Sequence, residues 1–460
     1  MRRLFILLAI LLSVAVVKAQ ENGPKPIKLT QEEQQLVQKN NDFAFRLFRQ
    51  ARTDESLLLS PLSITYALGM LNNGAAYKTQ QEINDVLGFG EAGADGINLF
   101  CRKMLTEAPG LDKETKVSIA NTIYVNSGEG YYLQEDFVEK ANQWYNAKPE
   151  SRDFKDGVTR DVINQWASDH TEGMIKEVLK EDEFNPYAVS YLLNALYFKG
   201  LWVNKFDKAN TLDEVFNGST NVPMMHITAR ESIDGFQFEY TSSDLYQAVN
   251  LPYGNGAYQM TVYLPSQGKS IDDVLAQLDG KSWQMNGKQS YVDLKLPRFE
   301  TKTSVNLIPM MEALGMTKAF TPSAEFPYFC NVNIYIALMK QVAKIKLDEE
   351  GTEAAAVTII GEKATGMQEI PIVDFHATRP FLYIISERST GTIFFIGQYM
   401  GDETAEVKGE EVAVKEVKSE EVKSEKVKRE RIYNLSGQRL LTPPAKGLYI
   451  TDGRLRYRPQ

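Results

Sequence analysis

Two spacings of hydrophobic residues share the first 400 positions of the chain. Early on, apolar residues recur at helical intervals: Leu36, Phe43, Phe45, Leu47 and Phe48, then Ile64–Leu71, with Glu82–Leu87 continuing the pattern. Ser60-Pro61 stands immediately before the second of these stretches and reads as a helix start, a cap residue followed by a proline whose missing N–H is not needed there. Extended runs come later, at Val117–Val125, Tyr191–Phe198, Ala248–Leu251, Gln259–Leu264 and Val292–Leu296. Several are apolar on both faces, as strands inside a covered sheet must be. Helices and strands are mixed and do not alternate as βαβ units, which predicts an α+β fold with a large sheet.

The two ends have other textures. Arg2-Arg3, an apolar run from Leu4 to Val17 and the small Ala19 after Lys18 have the order of an export leader, with cleavage after Ala19. The run falls short of the ~20 residues that a spanning helix needs. The expected location is therefore secreted, or at the cell surface or periplasm, with no stable membrane insertion. From Lys28 to about Asp402 the composition is uniform, without linker or repeat. Residues 403–431 form a charged low-complexity run with valines at 407, 412, 414, 417, 422 and 427 that keep no steady helical stripe, and a solvated linker is expected there. Residues 432–460 change again, to short strand-like runs broken by Gly and Pro, and predict a small β module. The expected division is leader 1–19, main domain 28–402, linker 403–431 and C-terminal module 432–460.

Composition removes several classes. The chain has 460 residues, 43% hydrophobic and 24% charged, which is ordinary globular usage. Its two cysteines, Cys101 and Cys330, cannot make a disulfide scaffold or a Cys-rich zinc domain. Export permits a bridge between them, but a buried thiol is as good a reading for Cys101, which lies among Leu99, Phe100 and Met104. A net charge of −9 argues against a nucleic-acid partner. That charge is uneven: the C-terminal module carries Arg439, Lys446, Arg454, Arg456 and Arg458 against the single acid Asp452.

A search for catalytic chemistry is negative. No G-x-S-x-G elbow, H-E-x-x-H, C-x-x-C or phosphate-cradling glycine loop is present. The histidines, His170, His226 and His376, sit in unrelated polar contexts. Neither an enzyme, a metal site nor a cofactor is expected.

One segment is chemically odd. Between Lys346 and Gly366, acidic residues and Gly351 give way to three alanines, 354–356, and then to β-branched Val357, Thr358, Ile359 and Ile360. The alanines favour helix and the branched run favours strand. Small side chains place no steric bar on joining a crowded sheet, and Gly351 can absorb a large backbone rotation.

Glu349-Glu350-Gly351-Thr352-Glu353-Ala354-Ala355-Ala356 resembles the hinge of a serpin, the serine-protease-inhibitor family. The similarity runs through nearly all of 41–401. It includes Leu59-Ser60-Pro61-Leu62-Ser63-Ile64, the stretch from Leu193-Asn194-Ala195 to Gly200-Leu201-Trp202, and Leu296-Pro297-Arg298-Phe299. Leu314-Gly315-Met316, Arg379-Pro380-Phe381 and Phe395-Ile396-Gly397 extend it. The resemblance implies three β-sheets, about nine helices and an exposed reactive-centre loop, in a monomer held in a metastable state. It implies a suicide substrate for an endopeptidase: the protease acylates at the loop, the cut loop inserts into the main sheet, and the covalent complex is trapped. Serine endopeptidases are the expected targets, with cysteine proteases as a further class; a serpin-fold carrier or surface interaction protein without inhibition is the alternative.

By the same resemblance the cleaved bond is Thr365-Gly366, with Lys363-Ala364 and Gly366-Met367 as alternates. Thr365 suits elastase- or subtilisin-like enzymes, and Lys363 a trypsin-like one. Ser60, Ser63 and Asn194 match the group where the sheet parts, Trp202 lies beneath the point of loop insertion, and Arg298 is expected to pair with Glu349. The family often places a histidine against that group; this chain places Gln341 there, an amide that both donates and accepts. The C-terminal module resembles, more loosely, the end of sorting domains on type IX secretion substrates of gram-negative bacteria, with a structural or adhesive appendage as the alternative.

Overall fold

The computed structural model describes residues 24–227, 237–352 and 372–401, together with the backbone of strands at 432–433, 439–440, 447–451 and 454–458. The chain divides into two compact units, 1–412 and 413–460.

Thr30 opens α1 (Gln31–Ala51) with a capping box: its hydroxyl accepts from Glu33 N–H (3.2 Å) and its own N–H donates to Glu33 Oε2 (2.8 Å). After β1 (Leu57–Leu59), α2 (Pro61–Asn72) starts at Ser60-Pro61 and is buried at every residue. Then come α3 (Tyr77–Leu87), α4 (Gly93–Glu107), β2 (Lys116–Asn126), α5 (Glu135–Tyr145), β3 (Glu150–Arg152) and α6 (Thr159–His170). The next stretch is almost all strand: β4 (Ser190–Leu201), β5 (Leu212–Phe216), β6 (Thr220–Ile227), β7 (Gln237–Ser242), β8 (Tyr246–Tyr253) and β9 (Tyr258–Pro265). Helix α7 (Ile271–Leu275) leads to β10 (Lys288–Pro297) and β11 (Phe299–Asn306), and α8 (Ile308–Ala313) to β12 (Leu338–Asp348) and β13 (Gly351–Thr352). β14 (Ile372–His376), β15 (Phe381–Glu387) and β16 (Thr392–Tyr399) end the body. Each of the five extended runs expected from the sequence lies within a strand, here β2, β4, β8, β9 and β10.

Two sheets carry the body. One has ten strands in the order β1-β16-β15-β9-β8-β7-β10-β6-β5, with β14 added on β10. β10 is its joint: β7 pairs along Lys288–Tyr291, β14 along Tyr291–Lys295 and β6 along Leu294–Pro297, so two smaller groups of strands run together. The other has six strands, β11-β12-β13-β4-β2-β3, with β12 also paired to β4. A third, four-stranded sheet forms in the C-terminal unit, from β17 (Ile432–Tyr433), β18 (Arg439–Leu440), β19 (Gly447–Thr451) and β20 (Arg454–Arg458), in the order β18-β17-β19-β20. Cys101 and Cys330 are both buried and unbridged, and burial pushes both thiols above their ordinary range.

The central strand β4 of the six-stranded sheet is apolar on both faces because both are covered. Along β4, Leu192, Leu196 and Phe198 enter the main core beside α2, while Tyr191, Leu193 and Ala195 enter a second cluster with Ile163 and Ala167 of α6. On β12, Met339 and Ala343 face the first side and Val342 the second. Lys340 interrupts the second face; it is 2% exposed, and its ammonium meets both oxygens of Glu183 at 2.5 Å.

A buried polar group closes the lower half of this sheet. β12 and β4 are parallel neighbours from Leu338↔Tyr191 to Lys344↔Tyr197, and Gln341 lies directly opposite Asn194. Gln341 Nε2 donates to Asn194 Oδ1 (2.8 Å) and to Ser60 O (3.1 Å), and its Oε1 accepts from Ser60 N–H (3.0 Å). Asn194 Nδ2 donates to Asn121 Oδ1 (2.5 Å) and to the Ser63 hydroxyl. Three strands and the start of α2 are thus joined by amides with no solvent to replace a lost partner. Gln341→Leu keeps the volume and strands these groups, at a cost of about 1–3 kcal/mol. The expected result is faster unfolding in denaturant; an unchanged rate would show the network to be idle.

Candidate functional site

Above Lys344 and Tyr197, β12 and β4 no longer touch. The two residues of β13 sit between them, antiparallel to both: Leu347↔Thr352 and Asp348↔Gly351 on one side, Leu201↔Gly351 and Gly200↔Thr352 on the other. Gly351 and Thr352, from the segment read as a hinge, thus lie within the top of the sheet.

Glycine is required at this point. Gly351 has φ +144°, and a Cβ on it would lie 2.1 Å from Gly200 O and 2.7 Å from Leu201 Cα. Thr352 is fully buried, its hydroxyl 3.0 Å from the Tyr253 hydroxyl. Tyr253 stacks against Trp202 (centroids 4.4 Å apart, 13° between planes) and meets Phe198 edge-on at 5.0 Å. Burial raises the Tyr253 hydroxyl far above its ordinary pKa, so it stays a neutral hydrogen-bonding group. An aromatic floor thus lies under the first inserted residues.

The turn between β12 and β13 is held from several sides. Trp202 Nε1 donates to Asp348 O (3.0 Å), Trp202 N–H to Glu350 O (2.8 Å) and Phe206 N–H to Glu349 O (2.9 Å). Glu349 is 2% exposed; its Oε1 accepts from the Thr211 hydroxyl (2.8 Å) and from Arg298 Nη1 (3.2 Å). Arg298 is half exposed, which screens its side of the pair. Glu350 contacts Lys205 at 2.7 Å and Lys208 at 3.6 Å, and the hydrogen bond from Lys205 holds its carboxyl below the ordinary range.

The structure thus brings together Glu349, Glu350, Gly351, Thr352, Trp202 and Arg298 at the top of the sheet, and Ser60, Ser63, Asn194 and Gln341 lower down. Glu353, Ala354, Ala355 and Ala356, and the bond candidates Lys363, Ala364, Thr365, Gly366 and Met367, lie outside the described residues. The nineteen residues 353–371 are anchored at both ends, by β13 in the six-stranded sheet and by β14 on β10. Sequence reasoning missed Tyr253, Thr211, Lys205 and Glu183, which come from segments without any local signal. No described helix is long and apolar enough to cross a membrane.

Known proteins share this architecture. Residues 38–401 match the family described as serpin (serine protease inhibitor). Human Serpin I2 is 29% identical over 394 residues, which covers 82% of this chain and 94% of that protein. Tengpin, a thermophilic serpin solved in its native state, superposes with a TM-score of 0.72 at 27% identity, covering 82% of this chain and 96% of its own. A thyroxine-binding globulin in complex with thyroxine gives 0.70 at 25% identity, covering 81% of this chain and all of the other. With residues 38–401 matched and the likeness running through nearly the whole of each relative, the chain belongs to the serpin family.

Proposed function

We propose that this serpin is inhibitory and acts as a suicide substrate, with residues 353–371 as the bait and the slot between β4 and β12 as the destination of the cut strand. The observation that carries this reading is the register of β13. Continuing Gly351↔Leu201 and Thr352↔Gly200 down the antiparallel ladder pairs Ala354 with Phe198, Ala356 with Leu196, Thr358 with Asn194 and Ile360 with Leu192. These four would face the main core beside α2, and two of them are alanines. Continuing Leu347↔Thr352 sets Thr358 opposite Gln341 as well. Its hydroxyl would then stand between the two amides that now bond each other, and could bond both. Glu353 would fall between Lys199 and Lys346, a charge match at the first new rung. A segment whose size, polarity and charge fit the line between β4 and β12, and whose neighbours Gly351 and Thr352 already lie between them, is suited to parting them.

The same count bears on where the cut falls. β4 begins at Ser190, the end away from β13, and in this register Ser190 would pair with residue 362. A cut after residue 362 therefore lets the inserted strand span the whole of β4, and cuts after Lys363 or Thr365 both satisfy that. The acyl-enzyme would be carried along the length of the sheet and deformed before water completes hydrolysis. Thr365-Gly366 remains the favoured bond, for elastase- or subtilisin-like endopeptidases, with Lys363-Ala364 for a trypsin-like one. The leader is read as exporting the chain, and the C-terminal module as a surface-sorting signal; the protein works outside the cytoplasm as a monomer until it meets a protease. In the carrier alternative, cleavage would leave no covalent product.

Mixing the full chain with a panel of endopeptidases should give a complex that survives denaturing electrophoresis. Ala355→Arg places a charge on the inserting strand beside Lys344 and Tyr197, at a cost of roughly 3–5 kcal/mol if it is buried without a partner. It should divert most turnover to simple cleavage and raise the stoichiometry of inhibition several-fold; an unchanged stoichiometry would remove insertion from the mechanism. Mass spectrometry of the C-terminal fragment should show a start at Gly366 with an elastase-like enzyme. A start before residue 363 would contradict the register.

A further inference from the structure

Two of the chain's three histidines, distant in sequence, converge on one carboxylate. His226 Nε2 lies 3.1 Å from Asp293 Oδ1 and His376 Nε2 lies 2.8 Å from Asp293 Oδ2. The contexts that look unrelated along the chain are made neighbours by sheet register. Lys295 of β10 is opposite both His226 on β6 and His376 on β14, and Asp293 is opposite Asp374. Opposite residues, and residues two apart, share a face of a sheet, so all five side chains point the same way.

That face holds an unusual charge arrangement. Two aspartates directly opposite each other on paired strands repel, and both histidine contacts go to one of them, Asp293. Lys295, on the same face, is engaged by Glu214 at 2.6 Å, and Arg379 lines the same cavity as Asp374 and His376. One ligand atom from each of Asp293, Asp374 and His376 fits within 4.8 Å of the others. Ligands of a tetrahedral zinc, bound at ~2.0–2.1 Å, stand roughly 3.3 Å apart, so small side-chain rotations would bring these three into place.

We propose that Asp293, Asp374 and His376 form a divalent-cation site of the zinc class that ties β14 to β10. One imidazole and two carboxylates suit zinc better than calcium or magnesium, which prefer oxygen alone. His376 would move its hydrogen to Nδ1 and present the Nε2 lone pair, a change of tautomer with no net proton released. His226 is a positioning residue: it donates to Asp293 Oδ1 and leaves Oδ2 for the ion. Among the described residues β14 pairs with β10 alone, so a cation bound by both strands would fix the strand onto which residues 353–371 run. Any consequence for inhibition rests on the bait reading above; binding itself does not.

Isothermal titration of the full chain with zinc chloride should give one saturable site, absent with calcium or magnesium. Asp374→Asn, at an exposed position, and His376→Gln, at a half-buried one, should each abolish the saturable binding. His170→Ala should leave binding unchanged, and zinc should raise the melting temperature of the parent chain but not of the two variants. No saturable binding, or binding that survives both Asp374→Asn and His376→Gln, would overturn the proposal. If zinc binds as described and no protease is trapped, the site stands and the inhibitory reading falls.

Discussion

The structure turns on a pair of parallel strands that need not be neighbours. β4 and β12 share seven rungs at the bottom of the six-stranded sheet, and two hinge residues stand between them at the top. Both faces of the pair are buried, by the α2 core on one side and by the α6 cluster on the other. On the inhibitory reading, a sheet in this state has satisfied its hydrogen bonds in one of two ways open to it. The second way places another strand down the middle, and would replace one ladder by two.

What resists that exchange is local and mostly polar. Gln341 and Asn194 bond across the line of parting, and the buried Lys340–Glu183 contact ties β12 to the segment that follows α6. Glu349 and Glu350 fix the turn above through Thr211, Arg298 and Lys205. Buried polar contacts add little net stability, yet they are costly to break one at a time, because each loss leaves a group without water. A barrier of this kind is consistent with a fold that persists kinetically, whatever lies below it in free energy.

Much of this was legible in the chain. The two spacings gave the helices and strands, since a strand covered on both sides must be apolar on both. Gly351 stood out because a glycine among acids before three alanines is not how an ordinary strand ends, and its close approach to Gly200 O supplies the reason. The partners of the site were not legible. Tyr253 reaches Thr352 from β8, Lys205 reaches Glu350 from the loop after β4, and the His226–Asp293–His376 contacts depend on the registers of three strands. Register is set by the whole sheet, so no window of sequence contains it.

The central claim is that the described sheet is the less stable of two that this chain can form. Differential scanning calorimetry on the intact protein, and on protein nicked once between residues 360 and 367 without trapping a protease, tests it directly. The nicked chain should melt far above the intact one, since its freed strand can complete the ladder between β4 and β12. Equal melting temperatures, or a lower one after nicking, would contradict it.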